Sequence, residues 1–288
     1  MVDGSIAWAK EHGKESFPCN TFKDWRRRLK RIYAALEEKC SVAAYGESQV
    51  GKSYLMSSLL SSPNSPFVIT NGGKAYSFID DINPSGGNNA KIESTGVVTR
   101  FTLDGGNPLM RDYVRVRNLS VVDIILLIAD SYYNDIKIDP DNVLRYDDIN
   151  QALEEMSALW SKRMAVQDKI DEDDIRDIVD YLHDVTGNAA GAVNQSNFGK
   201  VVAPVIKYVP YDKWVDVFGL LWNRNKELNH LFGVLINEYK KLCFETDVYV
   251  PFTAVLRDKG TLLKIEWLDT VCGIHSDTGH DEIYTDVY

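Results

Sequence analysis

Residues Gly46-Glu47-Ser48-Gln49-Val50-Gly51-Lys52-Ser53 fit the phosphate-cradling template G-x-x-x-x-G-K-[S/T]. A chain that uses such a loop needs a strand to enter it and a helix to leave it. "SVAAY" (41–45) is a short strand candidate, and "KSYLMSSLL" (52–60) reads as a helix that the prolines of "SSPNSPF" (61–67) end. Gly46 and Gly51 let the backbone curl tightly, because a residue without a Cβ tolerates positive φ. Glu47, Ser48 and Gln49 span the loop. The N–H groups around Val50, Gly51, Lys52 and Ser53 then point at phosphate oxygens, at a helix N-terminus whose dipole favours anions. Lys52 supplies a cation to the β- and γ-phosphates, and the Ser53 hydroxyl is the expected Mg²⁺ ligand. The cofactor expected is therefore GTP or ATP with Mg²⁺.

A triphosphate site also calls for a carboxylate on the Mg²⁺ side, and two residues compete for that role. Asp130 closes "IILLIAD", but a helix-cap pattern precedes that run. Asp269 closes "LLKIEWLD" and has Gly273 four residues on, where a γ-phosphate-sensing loop could hinge. Asp269 is favoured, with Asp130 read as a helix residue. Residues 80–95, "DDINPSGGNNAKIEST", form a loop long enough to be functional. Thr99, entering the strand candidate "GVVTRFTL" (96–103), is the candidate switch hydroxyl, with Thr95 as the alternative and an ordinary strand threonine as the plain reading.

Residues 21–39 place Trp25, Leu29, Ile32 and Leu36 on one helical face, with Arg26, Arg27, Lys30 and Arg31 largely off it. This spacing predicts a surface helix packed by its apolar stripe; a phosphate- or membrane-contacting role for the arginines is the second reading. "YVRVRNL" (113–119) reads as a strand. From Ser120, which stands at capping-box spacing from Asp123, to Leu242 the pattern is helical. Strand signals return at 247–256 and 261–269. The expected fold is α/β: a P-loop NTPase core with a mostly parallel sheet flanked by helices. Residues 1–119 and 243–288 would form that core with its N-terminal amphipathic helix, and 120–242 a large helical insertion.

The net charge of −10 argues against a broad nucleic-acid surface. Cys19, Cys40, Cys243 and Cys272 show no metal-ligand spacing, which fits reduced thiols of a cytoplasmic protein. No apolar run approaches the roughly 20 residues of a spanning helix.

"ESTGVVTRFTL" resembles the first switch of dynamin-family GTPases. Together, "GESQVGKSYL", "FIDDINPSGGNN", "ESTGVVTRF" and "VRVRNLSVVDIILLIADSYYND" are similar to the Putative bacterial virulence factor family, whose members are large, dynamin-like P-loop proteins with a helical region interrupting the GTPase-like core. The resemblance implies a phosphate loop at Gly46–Ser53, a switch threonine at Thr99 and the third GTPase motif at Asp269. It also implies that this chain is the N-terminal part of a larger virulence-associated protein, with protein partners or further domains. Two departures stand out: Asp269 and Gly273 lie one residue further apart than Asp-x-x-Gly, and no [N/T]-K-x-D base-reading motif is present. The expected function is a slow, GTPase-like switch. The alternatives are an interaction module docking through its helical insertion and, less favoured, a small-molecule kinase.

Overall fold

The computed structural model describes residues 2–14, 16–38, 42–45, 50–84, 98–102, 112–136, 143–160, 164–187, 189–256 and 284–285. Ten α-helices occur among them. α1 (Val2–Glu11) and α2 (Cys19–Glu37) lead the chain, and α3 (Lys52–Leu60) starts directly after Gly51. β1 (Val68–Asn71) and β2 (Lys74–Ser77) then form an antiparallel hairpin. Its two turn residues, Gly72 and Gly73, have φ of +58° and +77°, the pair of left-handed conformations a tight I′-type turn needs and only glycine adopts cheaply.

After β3 (Tyr113–Arg117), α4 (Val121–Asn134), α5 (Tyr146–Trp160), α6 (Glu172–Thr186), α7 (Gly191–Gln195), α8 (Phe198–Val202), α9 (Trp214–Phe218) and α10 (Lys226–Lys241) build a helical body. β4 (Asp247–Pro251) leaves it. Ser120 and Asp123 cap α4 reciprocally, as their spacing predicts. The largest buried cluster runs from Val121 to Phe244, with Trp214, Trp222, Phe198, Phe218 and Phe232 fully enclosed. β3 and β4 pair antiparallel with Tyr113 opposite Pro251 and Arg117 opposite Asp247. They close the helical body at its base like a stem. β5 (Tyr284–Thr285) adds to the outer side of β4, also antiparallel.

The expected parallel P-loop NTPase sheet is overturned. Both sheets among the described residues are antiparallel, and helix dominates. A parallel core needs strands separated by crossovers and covered by helices on both faces. Here the chain leaving α3 turns straight back on itself at Gly72-Gly73, and the strands flanking the helical body run in opposite directions because one enters it and the other leaves. Residues 42–45 and 98–102 form no ladder; Val42, Tyr45 and Val98 are almost fully exposed.

α2 also departs from its pattern. None of its residues is buried, and Trp25, Leu29, Ile32 and Leu36 lie outward. Its basic side faces the body instead. Arg26 Nε and Nη2 donate to the Asp173 carboxylate at 2.8 and 2.5 Å; Lys30 reaches Asp171 and Asp173 at 2.8 Å; Lys23 pairs with Glu172, and Arg27 with Asp177 and Asp180. Four acidic residues, Asp171 to Asp174, crowd the start of α6, so five cations paired with α6 acids win over apolar burial in setting which face α2 turns inward.

Candidate functional site

α3 begins where the motif predicts a helix. Gly51 precedes it at φ +89°, a left-handed conformation that requires glycine, and its carbonyl accepts the first helical bond, from Leu55 N, at 2.9 Å. No side chain caps this end among the described residues. Glycine offers no side chain to cap the first turn, and a helix N-terminus of this kind suits an anion. Lys52 and Ser53 open the helix beside it.

Ser53 has a neighbour the motif does not announce. The Asn83 carboxamide, almost fully buried, donates from Nδ2 to Ser53 Oγ. A five-residue π-helical turn, Phe78–Ile82, delivers it, closed by Asn83 N to Phe78 O at 2.7 Å. Ser77 N and Oγ donate to Asp81 and Asp80, each at 2.7 Å, so both carboxylates secure the turn. In this arrangement Ser53 Oγ is an acceptor, held in place by the Asn83 amide. A loop rich in Asn and Asp just after a hairpin is the signal that points to this region, but nothing local selects Asn83 from Asn88 or Asn89.

Phe78 and Ile82 anchor the turn in a small core with Phe252, against which Phe67, Ile69 and Phe101 pack. Phe101 meets Phe67 and Phe78 edge-on, at 5.2 and 5.0 Å between ring centroids. Thr99, two residues before Phe101, is exposed on irregular backbone tied to the same core as Asn83. Arg100 bonds Glu38, just beyond α2, at 3.0 Å, and Arg117 of β3 bonds the same carboxylate at 2.8 Å. These two bonds, Arg117 first, hold the Glu38 carboxyl below its ordinary pKa. On the stem, burial pushes Asp247 up, but Arg115 and Arg117 outweigh it and keep the carboxyl ionised.

Of the other expected site residues, Val50 is exposed. Gly46, Glu47, Ser48, Gln49, Thr95 and Asp269 lie outside the described residues. Asp130 sits within α4, accepting from Asn134 Nδ2 at 2.9 Å, as a helix residue would. Among the described residues no group of three or more His, Cys, Asp or Glu side chains converges on a metal-sized point. A cavity of about 50 Å³ lined by Tyr132, Tyr133, Leu144 and Asn223 in the helical body has room for water, not for a nucleotide. No helix among the described residues is long and apolar enough to cross a membrane.

No curated protein and no solved structure matches the chain. The family model described as "Putative bacterial virulence factor" matches residues 13–269, from within the α1–α2 connection through Asp269. That span takes in α2, the α3 N-terminus, the Asn83 turn, the stem and the whole helical body, and the chain belongs to the Putative bacterial virulence factor family.

Proposed function

We propose that the segment Gly46–Ser53 binds the phosphates of a nucleoside triphosphate, GTP or ATP, with Mg²⁺, and that the protein acts as a GTPase-like, dynamin-related switch. The single observation that carries this reading is the α3 N-terminus: a helix of nine residues that starts on left-handed Gly51, without a side-chain cap, at the Lys-Ser pair of the phosphate motif. Lys52 contributes positive charge to the anion. Ser53 offers its hydroxyl oxygen to the cation, and Asn83 orients that oxygen. Bound Mg²⁺ would neutralise charge on the β- and γ-phosphates. Thr99 belongs to this proposal as the hydroxyl that senses the γ-phosphate, and Asp269 as the carboxylate on the metal side. The larger virulence-associated assembly implied by the family resemblance supplies the partners of such a switch.

Isothermal calorimetry with GTP, ATP and their diphosphates, with and without Mg²⁺, tests the proposal and identifies the base. Lys52→Ala is expected to weaken triphosphate binding at least a hundredfold, the loss of about 3 kcal/mol for a desolvated charge–phosphate contact. Asn83→Ala should weaken binding mainly in the presence of Mg²⁺, and Thr99→Ala should slow hydrolysis more than it weakens binding. Equal affinity of wild type and Lys52→Ala for every nucleotide would reject the reading.

A further inference from the structure

The outward side of α2 carries more order than an accidental apolar stripe. Phe22, Trp25, Leu29, Ile32 and Leu36 recur at spacings of three, four, three and four, an unbroken a/d heptad seam over two heptads. A helix that packs on a globular core carries a broader stripe; a strict a/d seam fits the seam of another helix. The seam is also presented to solvent. Trp25, Leu29, Ile32 and Leu36 are 47%, 53%, 55% and 78% exposed, and Tyr33 beside them is 65% exposed.

We infer that α2 is a homotypic interface: the seam pairs in parallel with the same seam of a second copy of this chain. Three observations select that occupant. The first is pattern, since α2 itself offers the matching heptads. The second is charge. Six cations lie between Lys23 and Arg31 and would repel those of a second α2, but Lys23, Arg27, Lys30 and Arg31 are already paired with the acids of α6 on the side away from the seam, and Arg26, at an e position on its flank, is held by Asp173. The α6 carboxylates thus act as built-in counterions that let two such helices meet. The third concerns the flanks. With Leu29 at an a position, Arg28 falls at g and Tyr33 at e. Parallel pairing sets g of one helix against e of the next heptad in its partner, so each Arg28 meets a tyrosine ring, a favourable cation–π contact. Arg28 makes no ion pair among the described residues.

Size decides strength. At roughly 100 Å² exposed from each of Trp25, Leu29, Ile32, Tyr33 and Leu36, the face hides about 1,000 Å² in the pair, the lower bound for a specific interface. The dimer is therefore a weak, concentration-dependent one.

Sedimentation of the full chain across a concentration series tests this. Wild type should show a reversible monomer–dimer equilibrium. Leu29→Asp with Ile32→Asp should weaken it at least tenfold while circular dichroism and Tm stay unchanged, because both side chains are exposed. Leu36→Cys should form an oxidised dimer well above the wild-type background, since parallel pairing alone sets the two copies of residue 36 side by side. A chain that stays monomeric at about 200 μM overturns the inference. So does a dimer unaffected by the double substitution. Seam-dependent binding of a monomer to anionic vesicles also overturns it, and would make the seam a lipid-contacting face.

Discussion

Trp222 and Trp214 share one buried cluster and differ in a single bond. The Trp222 indole N–H donates to Asn229 Oδ1 at 2.7 Å across the turn between the end of α9 and α10, whereas Trp214 Nε1 is buried with no acceptor among the described residues. The same Asn229 oxygen lies 2.7 Å from where a Cβ on Gly219 would stand, so that position has no room for alanine without breaking the bond. Removing a buried acceptor leaves its donor desolvated, which costs about 1–3 kcal/mol. Asn229→Ala is therefore expected to lower the stability read by urea denaturation by about 2 kcal/mol. Trp222→Phe should cost more than Trp214→Phe, since it alone strands the asparagine. Asn83 poses the same kind of problem at the candidate site: a buried amide whose partner, Ser53, is 30 residues away in sequence.

At the scale of elements, α6 shows two opposing electrostatic effects within one turn. Its N-cap, Asp171, accepts from the N–H groups of Asp173 and Asp174, and Asp174 accepts in return from Asp171 N. Burial dominates at Asp174, pushing its carboxyl up to about 6; the Asp171 N–H bond opposes it, and the charge of Asp171 adds to it. At Asp173 burial works the same way, but the bonds to Arg26 and Lys30 win and hold the carboxyl below the ordinary range. The pH consequences have opposite signs. Asp174 contributes stability fully present below its unfolded pKa of about 4 and lost as pH rises through about 6. Asp173 contributes stability that is present above its unfolded value and lost as pH falls below it. Asp174→Asn keeps the acceptor for Asp171 N and removes the ionised burden. It should raise Tm at pH 8 by a few degrees, about 1–2 kcal/mol after allowance for solvent screening, and lose that gain at pH 4. A gain equal at both pH values would show that charge is not the cause.

For the whole molecule, two kinds of attachment coexist. The helical body is held by apolar burial from Val121 to Phe244, while α2 is held to it by long charged side chains and contributes no buried residue. Screening shortens from about 10 Å at 0.1 M salt to about 3 Å at 1 M, so it acts on the second attachment and hardly on the first. Hydrogen exchange of the full chain should therefore show α2 amides losing protection, roughly tenfold or more, between low salt and 1 M NaCl. Amides of α4 and α10 should keep theirs. Salt-independent exchange in α2 would mean that something other than these ion pairs restrains it.

Local chemistry was legible from sequence wherever the decisive neighbours lie within a few residues. The helix at 52–60, the glycine before it, the Ser120 cap and the helical run that becomes α4 to α10 all depend on contacts one to four positions apart, and all are present. The hairpin at 68–77 is equally local: Asn71-Gly72-Gly73 signals a reversal of the chain, which a parallel sheet would not use there. The pairing of β3 with β4 and of α2 with α6, and the meeting of Asn83 with Ser53, join residues 30 to 153 positions apart. No periodicity encodes such partners. Amphipathicity says that α2 has two faces; only the acidic start of α6, brought beside it by folding, decides which face turns inward. The phosphate motif and the heptad seam therefore belong to the sequence alone, whereas sheet direction, the buried asparagine at the serine and the outward turn of the seam belong to tertiary structure, because each is settled by a distant group's charge, hydrogen bond or volume.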